Sequence, residues 1–369
     1  MENKNDISLI LKCTRECNLQ CKYCRDKKKK SFESFDIIKA SLLLKNLESV
    51  KEFSNIHFIW HGGEPLLLGL PFFRKMYYVQ SKFFPKSNFT NSLQTNGTLL
   101  TKDWIDHFKE YGFDVSISMD GTEDTHNRFR VFDSGAGSYE KVIDAISLLR
   151  DNDLDFGVLT VVSDDILRLG AEKLIDSYRK ENFINIALLS LRKIWRTGKE
   201  ALDYNKRYGR FMASVLNYWI KNDLSDIGIR EIDSKMNLMF GIPGRVCKDC
   251  GECVGKHFGV EASGDIFHCD RFVSDNRFFF GNIFEESMQS ILQSDKFKNA
   301  VTLEKEIRAK CKVCKWYNIC KGGCLYNLIS LDYYGGKRGT DDCIDYQMFE
   351  SVSDEIIENF PKQTSGITG

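Results

Sequence analysis

Cysteine is missing from the whole middle of this chain: none occurs between residues 25 and 246, although the full 369 residues hold 13. Four lie within residues 13 to 24 and nine between 247 and 343. Two dense groups in a long chain point to metal binding rather than to a disulfide framework, which belongs to short secreted folds. Proline is scarce, at five residues, and there is no low-complexity tract; with 42% apolar and 12% aromatic residues the chain is globular, not disordered. Neither charge is in excess, 52 Lys plus Arg against 52 Asp plus Glu, so no nucleic-acid partner is expected, since that needs a basic face. The start MENKNDISLILK has no signal-peptide pattern, and no window offers 18 uninterrupted apolar residues. A cytoplasmic protein without a membrane partner is therefore expected.

What is there begins with CTRECNLQCKYC, Cys13 to Cys24, which follows an apolar run, Ile7 to Leu11, that reads as a first strand. Cys17, three residues, Cys21, two residues, Cys24 puts three thiolates on one loop. Each can hold one iron of a [4Fe–4S] cluster, leaving one iron open to a small molecule, because a fully protein-bound cluster takes four. A zinc knuckle is the alternative, with Cys13 as the fourth ligand. The cysteine-free middle alternates strand patterns (Ile56 to Trp60, Phe89 to Gln94, Asp114 to Met119, Phe156 to Val162, Ile184 to Leu191) with helical ones (Asp36 to Val50, Pro71 to Phe84, Lys102 to Tyr111, Tyr139 to Asn152, Asp165 to Glu181, Lys199 to Lys221). Six such repeats predict an α/β fold with a parallel sheet and ligands at the carboxyl ends of its strands.

Thr14, Asn18, Leu19 and Tyr23, set among Cys17, Cys21 and Cys24, resemble the signature of radical S-adenosylmethionine (radical SAM) enzymes. The strand ends extend the resemblance: His61-Gly62-Gly63-Glu64-Pro65 is similar to the family's GGEP motif, Gln94 to Gly97 to its QTNG, and Ser118 to Gly121 to its SxDG. It implies a partial (β/α)6 TIM barrel, open on one side. It also implies SAM contacts at Gly62, Gly63, Glu64 (to the ammonium), Asn96 and Ser118. Arg130 is carried over as a contact to the SAM carboxylate, although Asn127 stands where the family's HDxxR pattern has Asp. His126 reads equally as a structural hydrogen-bonder, and Lys27 to Lys30 as a solvated loop or a landing place for an acidic leader peptide.

The second cysteine group resembles the SPASM iron–sulfur domain, which implies two auxiliary [4Fe–4S] clusters and thus three in all. Cys311, Cys314, Cys320 and Cys343 are expected to hold one, and Cys247, Cys253, Cys269 and Cys324 the other, with Cys250 and Cys13 spare. The expected division is residues 1–230 for the barrel, 231–345 for linker and SPASM domain, and 346–369 for a C-terminal helix and tail. Asp270, directly after Cys269, is the candidate base. The resemblance implies hydrogen abstraction from a peptide side chain by a 5′-deoxyadenosyl radical, with a reducing partner such as flavodoxin or ferredoxin. Maturation of a ribosomally made peptide by crosslinking is the first expectation, on HGGEPLLLG, RVFDSGAGSYEKV and HCDRFV. Conversion of a sulfatase Cys or Ser to formylglycine is the second, on SLQTNGTLL, SMDG and the chain length. His61 and Arg25, which depart from the sulfatase-maturase pattern, set that order. With the first strand near residue 7, no amino-terminal leader-binding domain is expected.

Overall fold

A computed structural model describes residues 6–24, 34–50, 53–85, 88–191, 198–244 and 246–351; Arg25, the run Lys27 to Lys30 and the tail beyond 351 lie outside these. Six parallel strands follow one another, β1 (Asp6–Thr14), β2 (Asn55–Gly62), β3 (Phe89–Thr95), β4 (Phe113–Ser118), β5 (Phe156–Val162) and β6 (Asn185–Ser190). Helices connect them: α1 (Ile37–Glu48), α2 (Leu70–Phe83), α3 (Lys102–Tyr111), α4 (Glu123–Phe129), α5 (Tyr139–Arg150), then α6 (Asp164–Leu169) and α7 (Ala171–Lys180). The sequence pattern predicts one helix over 165–181; it is broken at Gly170, whose φ of +88° no helix can continue through. A long helix α8 (Gly198–Lys221) closes the series.

Period-two alternation decides what each strand shows to each face. On β1, Leu9, Leu11 and Cys13 are buried in the main core while Ile10 and Lys12 line a cavity on the other face. On β2, Phe58 and Trp60 face the core and Ile59 and His61 the cavity. Phe73 of α2 is a hub of that core, edge-on to Trp60, Trp104 and Phe113 at 5.2, 5.4 and 6.2 Å between ring centres. Each such pair adds about 0.5–1.5 kcal/mol beyond the area it buries. Trp60 keeps its indole N–H satisfied by donating to Asn91 Oδ1 at 2.8 Å.

The sheet is wider than six strands. β7 (Gly228–Ile229) extends the β6 edge, and beyond β1 come β8 (His257–Glu261), β9 (Asp265–His268) and β10 (Phe279–Asn282), giving the order β10-β9-β8-β1-β2-β3-β4-β5-β6-β7. β8 runs parallel to β1, with Ser8 opposite His257, whereas β9 and β10 are antiparallel. The parts expected on either side of residue 230 therefore share one sheet. α9 (Arg230–Met239), α10 (Met288–Gln293) and α11 (Asp295–Ala309) pack around the cysteine-rich part. One cavity touches side chains at the carboxyl ends of β1 to β6, so the parallel sheet curves around it as a partial barrel. No helix among the described residues is long and apolar enough to cross a membrane.

Candidate active site

The cavity holds about 810 Å³ and is lined by Cys17, Cys21 and Cys24, by Gly62 and Gly63, by Asn96, Ser118 and Arg130, and by Asp270. The structure thus brings together residues from six separate stretches of chain. Cys13 is not among them: it points to the helical face, buried, with its thiol donating to the carbonyl of His61 at 3.4 Å. The three remaining thiols match the donor set of a cluster with one open iron better than the closed tetrahedron that zinc takes.

Gly62 and Gly63 bring the end of β2 against the cysteine loop. A Cβ on Gly63 would lie 1.9 Å from the Glu16 carbonyl oxygen and one on Gly62 2.3 Å from that of Thr14, so any side chain here would push the loop away. In their place run two backbone bonds, Gly63 N to Thr14 O and Glu64 N to Glu16 O, both 2.7 Å. A second tie comes from β3: Asn96 Nδ2 donates to Asn18 Oδ1 at 2.9 Å and approaches Cys17 Sγ at 3.8 Å, and Asn18 Nδ2 donates to Thr98 Oγ1 at 2.8 Å. A third is the ion pair of Arg15 with Glu261 at the end of β8.

Glu64 departs from its expected role. Its carboxylate is fully buried and does not line the cavity; it accepts from Thr95 Oγ1 at 2.7 Å, Asn96 N at 2.8 Å and Leu66 N at 3.1 Å. It joins the ends of β2 and β3 from behind. Burial raises its pKa to about 7 in spite of those three donors, which work in the opposite direction. Ser118 accepts from Gln94 Nε2 at 2.9 Å, and both line the cavity.

Arg130 lines the cavity with its guanidinium held by Asp120, Nε to Oδ2 at 2.9 Å and Nη2 to Oδ1 at 3.4 Å. Burial opposes its charge, but Asp120, Tyr23 and Cys21 outweigh it and raise its pKa. Tyr23 donates its hydroxyl to the same Asp120, which also accepts from Val161 N at 2.9 Å. His126 is structural: Asp120 N donates to its Nδ1 at 3.3 Å, and its Nε2 lies 3.0 Å from Ser138 Oγ. Burial lowers its pKa to about 4, which keeps the ring neutral. Asn127, at the family's Asp position, accepts from Tyr139 N at 3.0 Å.

Asp270 is half-buried on the cavity wall beside Arg271, following Cys269 in a backbone turn of φ +46°, a left-handed conformation uncommon for a non-glycine residue. Cys247, Cys253, Cys269 and Cys324 do not line the cavity themselves. Burial raises Cys269 to about 12, and Cys324 and Cys247 add to the shift; Cys324 and Cys269 act likewise on Cys253, and Cys324 on Cys247. These four thiols are therefore electrostatic neighbours. The other expected set behaves in the same way: burial and then Asp345 raise Cys320 to about 12 and Cys343 to about 11, Cys343 acts on Cys320, Cys311 on Cys343, and Cys314 on Cys311. Between the two sets runs a buried charge network, with Lys235 paired to Asp249 and, at 3.0 Å, to Asp345, which also holds Lys248 at 3.0 Å. Sequence reasoning missed this network and the role of Asp120, because one buried charge looks like any surface charge until its partner is known.

A family model described as the Radical SAM superfamily matches residues 11–166, and one described as SPASM, an iron–sulfur cluster-binding domain, matches 247–324. A cysteine-type anaerobic sulfatase-maturating enzyme of Clostridium perfringens (strain ATCC 13124) is 30% identical over 86% of this chain and 88% of its own. The chain belongs to the radical SAM superfamily. As a radical SAM enzyme with a SPASM domain it works with S-adenosylmethionine and iron–sulfur clusters. A second cysteine-type anaerobic sulfatase-maturating enzyme, from Clostridium novyi (strain NT), is 28% identical over 95% of both chains. The solved structure of native anSMEcpe with bound AdoMet and Cp18Cys peptide superposes with a TM-score of 0.82, at 27% identity over 96% of this chain and 98% of that one.

Proposed function

We propose that this radical SAM enzyme oxidises a cysteine in a sulfatase-type peptide to formylglycine. Support comes from likeness over nearly the full length to cysteine-type sulfatase-maturating enzymes, one of whose relatives in structure holds both AdoMet and a peptide. This reverses the order expected from the sequence, where crosslinking came first. The observation that carries the chemistry is that Asp270 lines the same cavity as Cys17, Cys21 and Cys24.

In this reading Cys17, Cys21 and Cys24 hold the SAM-binding cluster, while Gly62 and Gly63, Asn96, Ser118 and Arg130 surround SAM. Glu64 and Asp120 are positioning residues, since each acts through the strand end or guanidinium it holds. Cys247, Cys253, Cys269 and Cys324 hold one auxiliary cluster and Cys311, Cys314, Cys320 and Cys343 the other, three in all, fed by a reductant such as flavodoxin or ferredoxin. When bound, these groups supply a hydrogen-atom acceptor and a sink for one electron. Residues 1–230 then carry the radical chemistry and 231–345 the electron. The substrate Cβ gives up one hydrogen atom, the thiol proton goes to the Asp270 carboxylate, and one electron leaves toward the auxiliary cysteines. The resulting C=S group is hydrolysed by water to the aldehyde and hydrogen sulfide. The barrel walls exclude solvent until then.

The test is tandem mass spectrometry after anaerobic incubation of reduced, reconstituted enzyme with SAM and a peptide carrying the cysteine maturation motif. An aldehyde at that cysteine is expected. Loss of two hydrogens with a new bond between residues, seen instead on a short peptide encoded beside this gene, would restore the crosslinking order.

A further inference from the structure

The Cys253 sulfur is met from two elements: His268 Nε2 at the end of β9 lies 3.3 Å from it, and one turn of α11 brings the charged groups. Glu304 Oε1 accepts from Cys253 N at 2.9 Å and Oε2 from Val254 N at 3.0 Å, leaving Oε1 3.4 Å from the Cys253 sulfur. Four residues on, Arg308 Nε donates to Glu304 Oε1 at 2.8 Å and Nη2 to the same sulfur at 3.6 Å. Its Nη1 donates to the carbonyls of Gly323 at 2.8 Å and Lys321 at 3.1 Å, the backbone between Cys320 and Cys324. Both side chains are buried, 3% exposed for Glu304 and 5% for Arg308. One sulfur thus has a fixed anion and a fixed cation beside it, away from screening water.

The reduction potential of an iron–sulfur cluster follows the hydrogen bonds to its sulfurs and the charge around it. A donor or a cation stabilises the reduced, more negative cluster and raises the potential; an anion lowers it. We propose that Arg308 and Glu304 are the positioning residues that set the potential of the auxiliary cluster bound through Cys253, acting in opposite directions on one sulfur. The inference rests on Cys253 as a ligand and is independent of which peptide is oxidised. Neither residue lines the cavity, so neither meets the substrate.

The experiment is a redox titration followed by electron paramagnetic resonance on the reconstituted full chain. Cys17, Cys21 and Cys24 are all changed to Ala, so that only the auxiliary signals remain. Arg308→Met is expected to move one midpoint negative by a tenfold change in the reduced-to-oxidised ratio, about 59 mV for a one-electron couple. Glu304→Gln is expected to move the same midpoint positive. Iron per chain checks loading; if Arg308→Met loses iron, Arg308→Lys is read instead, with a smaller negative shift. Should both Arg308 variants lose iron, Glu304→Gln alone still decides by the sign of its shift. A residue that merely holds the fold gives shifts of one sign or none, and either result overturns the proposal. Product analysis on the same variants in the unaltered background is a separate readout, so failure of the formylglycine reading leaves the midpoints to stand on their own.

Discussion

Tyr23 and Arg130 meet on one carboxylate. Asp120 takes the Tyr23 hydroxyl on Oδ2, the oxygen to which Arg130 Nε also donates, and the Arg130 guanidinium lies 5.5 Å from the Tyr23 ring centre. A residue of the cysteine loop and a residue after β4, both lining the cavity, are thereby fixed by a third that is fully buried and does not line it.

Asp120→Ala is expected to leave a buried guanidinium unpaired and to cost about 3–5 kcal/mol of stability. Anaerobic urea denaturation reads this. Because the tie from Tyr23 of the cysteine loop to Arg130 runs through Asp120, SAM binding by calorimetry is expected to weaken in the more conservative Asp120→Asn.

Glu64 gives a pH signature. Its pKa is raised to about 7 by burial, above the 4.5 of an ordinary Glu, so between those values the folded chain binds more protons than the unfolded one. Stability therefore falls as pH rises through that window, by up to about 1.4 kcal/mol per unit, and levels off above it. Glu64→Gln is expected to abolish this part of the slope in denaturation curves taken from pH 4.5 to 7.5.

For Asp270→Ala, SAM cleavage to 5′-deoxyadenosine is expected to continue while aldehyde formation drops about 10²–10⁴-fold, the usual worth of a positioned base. Unchanged product yield removes Asp270 from that role.

Cys13 and Cys17 separate cleanly. Cys13→Ala, on the helical face, is expected to retain iron and SAM cleavage, whereas Cys17→Ala loses both the loop's iron and 5′-deoxyadenosine production. Iron analysis beside product chromatography measures the pair, and loss of the loop's iron in Cys13→Ala would return the closed four-ligand site.

The legible part of this molecule was whatever repeats or clusters locally. Strand and helix periods locate β1 to β6 to within a few residues, and the distribution of cysteine sets the loop at the start apart from the nine later cysteines. β7, β9 and β10 were illegible because two to four residues carry no period. Gly170 looked like one more position of a helix because glycine can sit in one. The motif around Glu64 reads as a ligand contact, and the geometry turns the side chain inward because three backbone and side-chain donors converge there. Nothing in the sequence singles out Glu304 and Arg308, because an i,i+4 charge pair looks the same on a solvated face; their partner Cys253 lies 51 residues from Glu304 in the chain.

The pairing of β8 with β1 orders the birth of the protein in time. Ser8 leaves the ribosome early, yet its partner His257 is made about two-thirds of the chain later. At about 5–20 residues per second one edge of the first strand waits many seconds unpaired. During that wait the cysteine loop hangs from a strand with an open side, and the pairing that shuts it arrives together with Cys253 and Cys269. The two cysteine groups are thus brought onto one sheet only after the residues of β8 have been made.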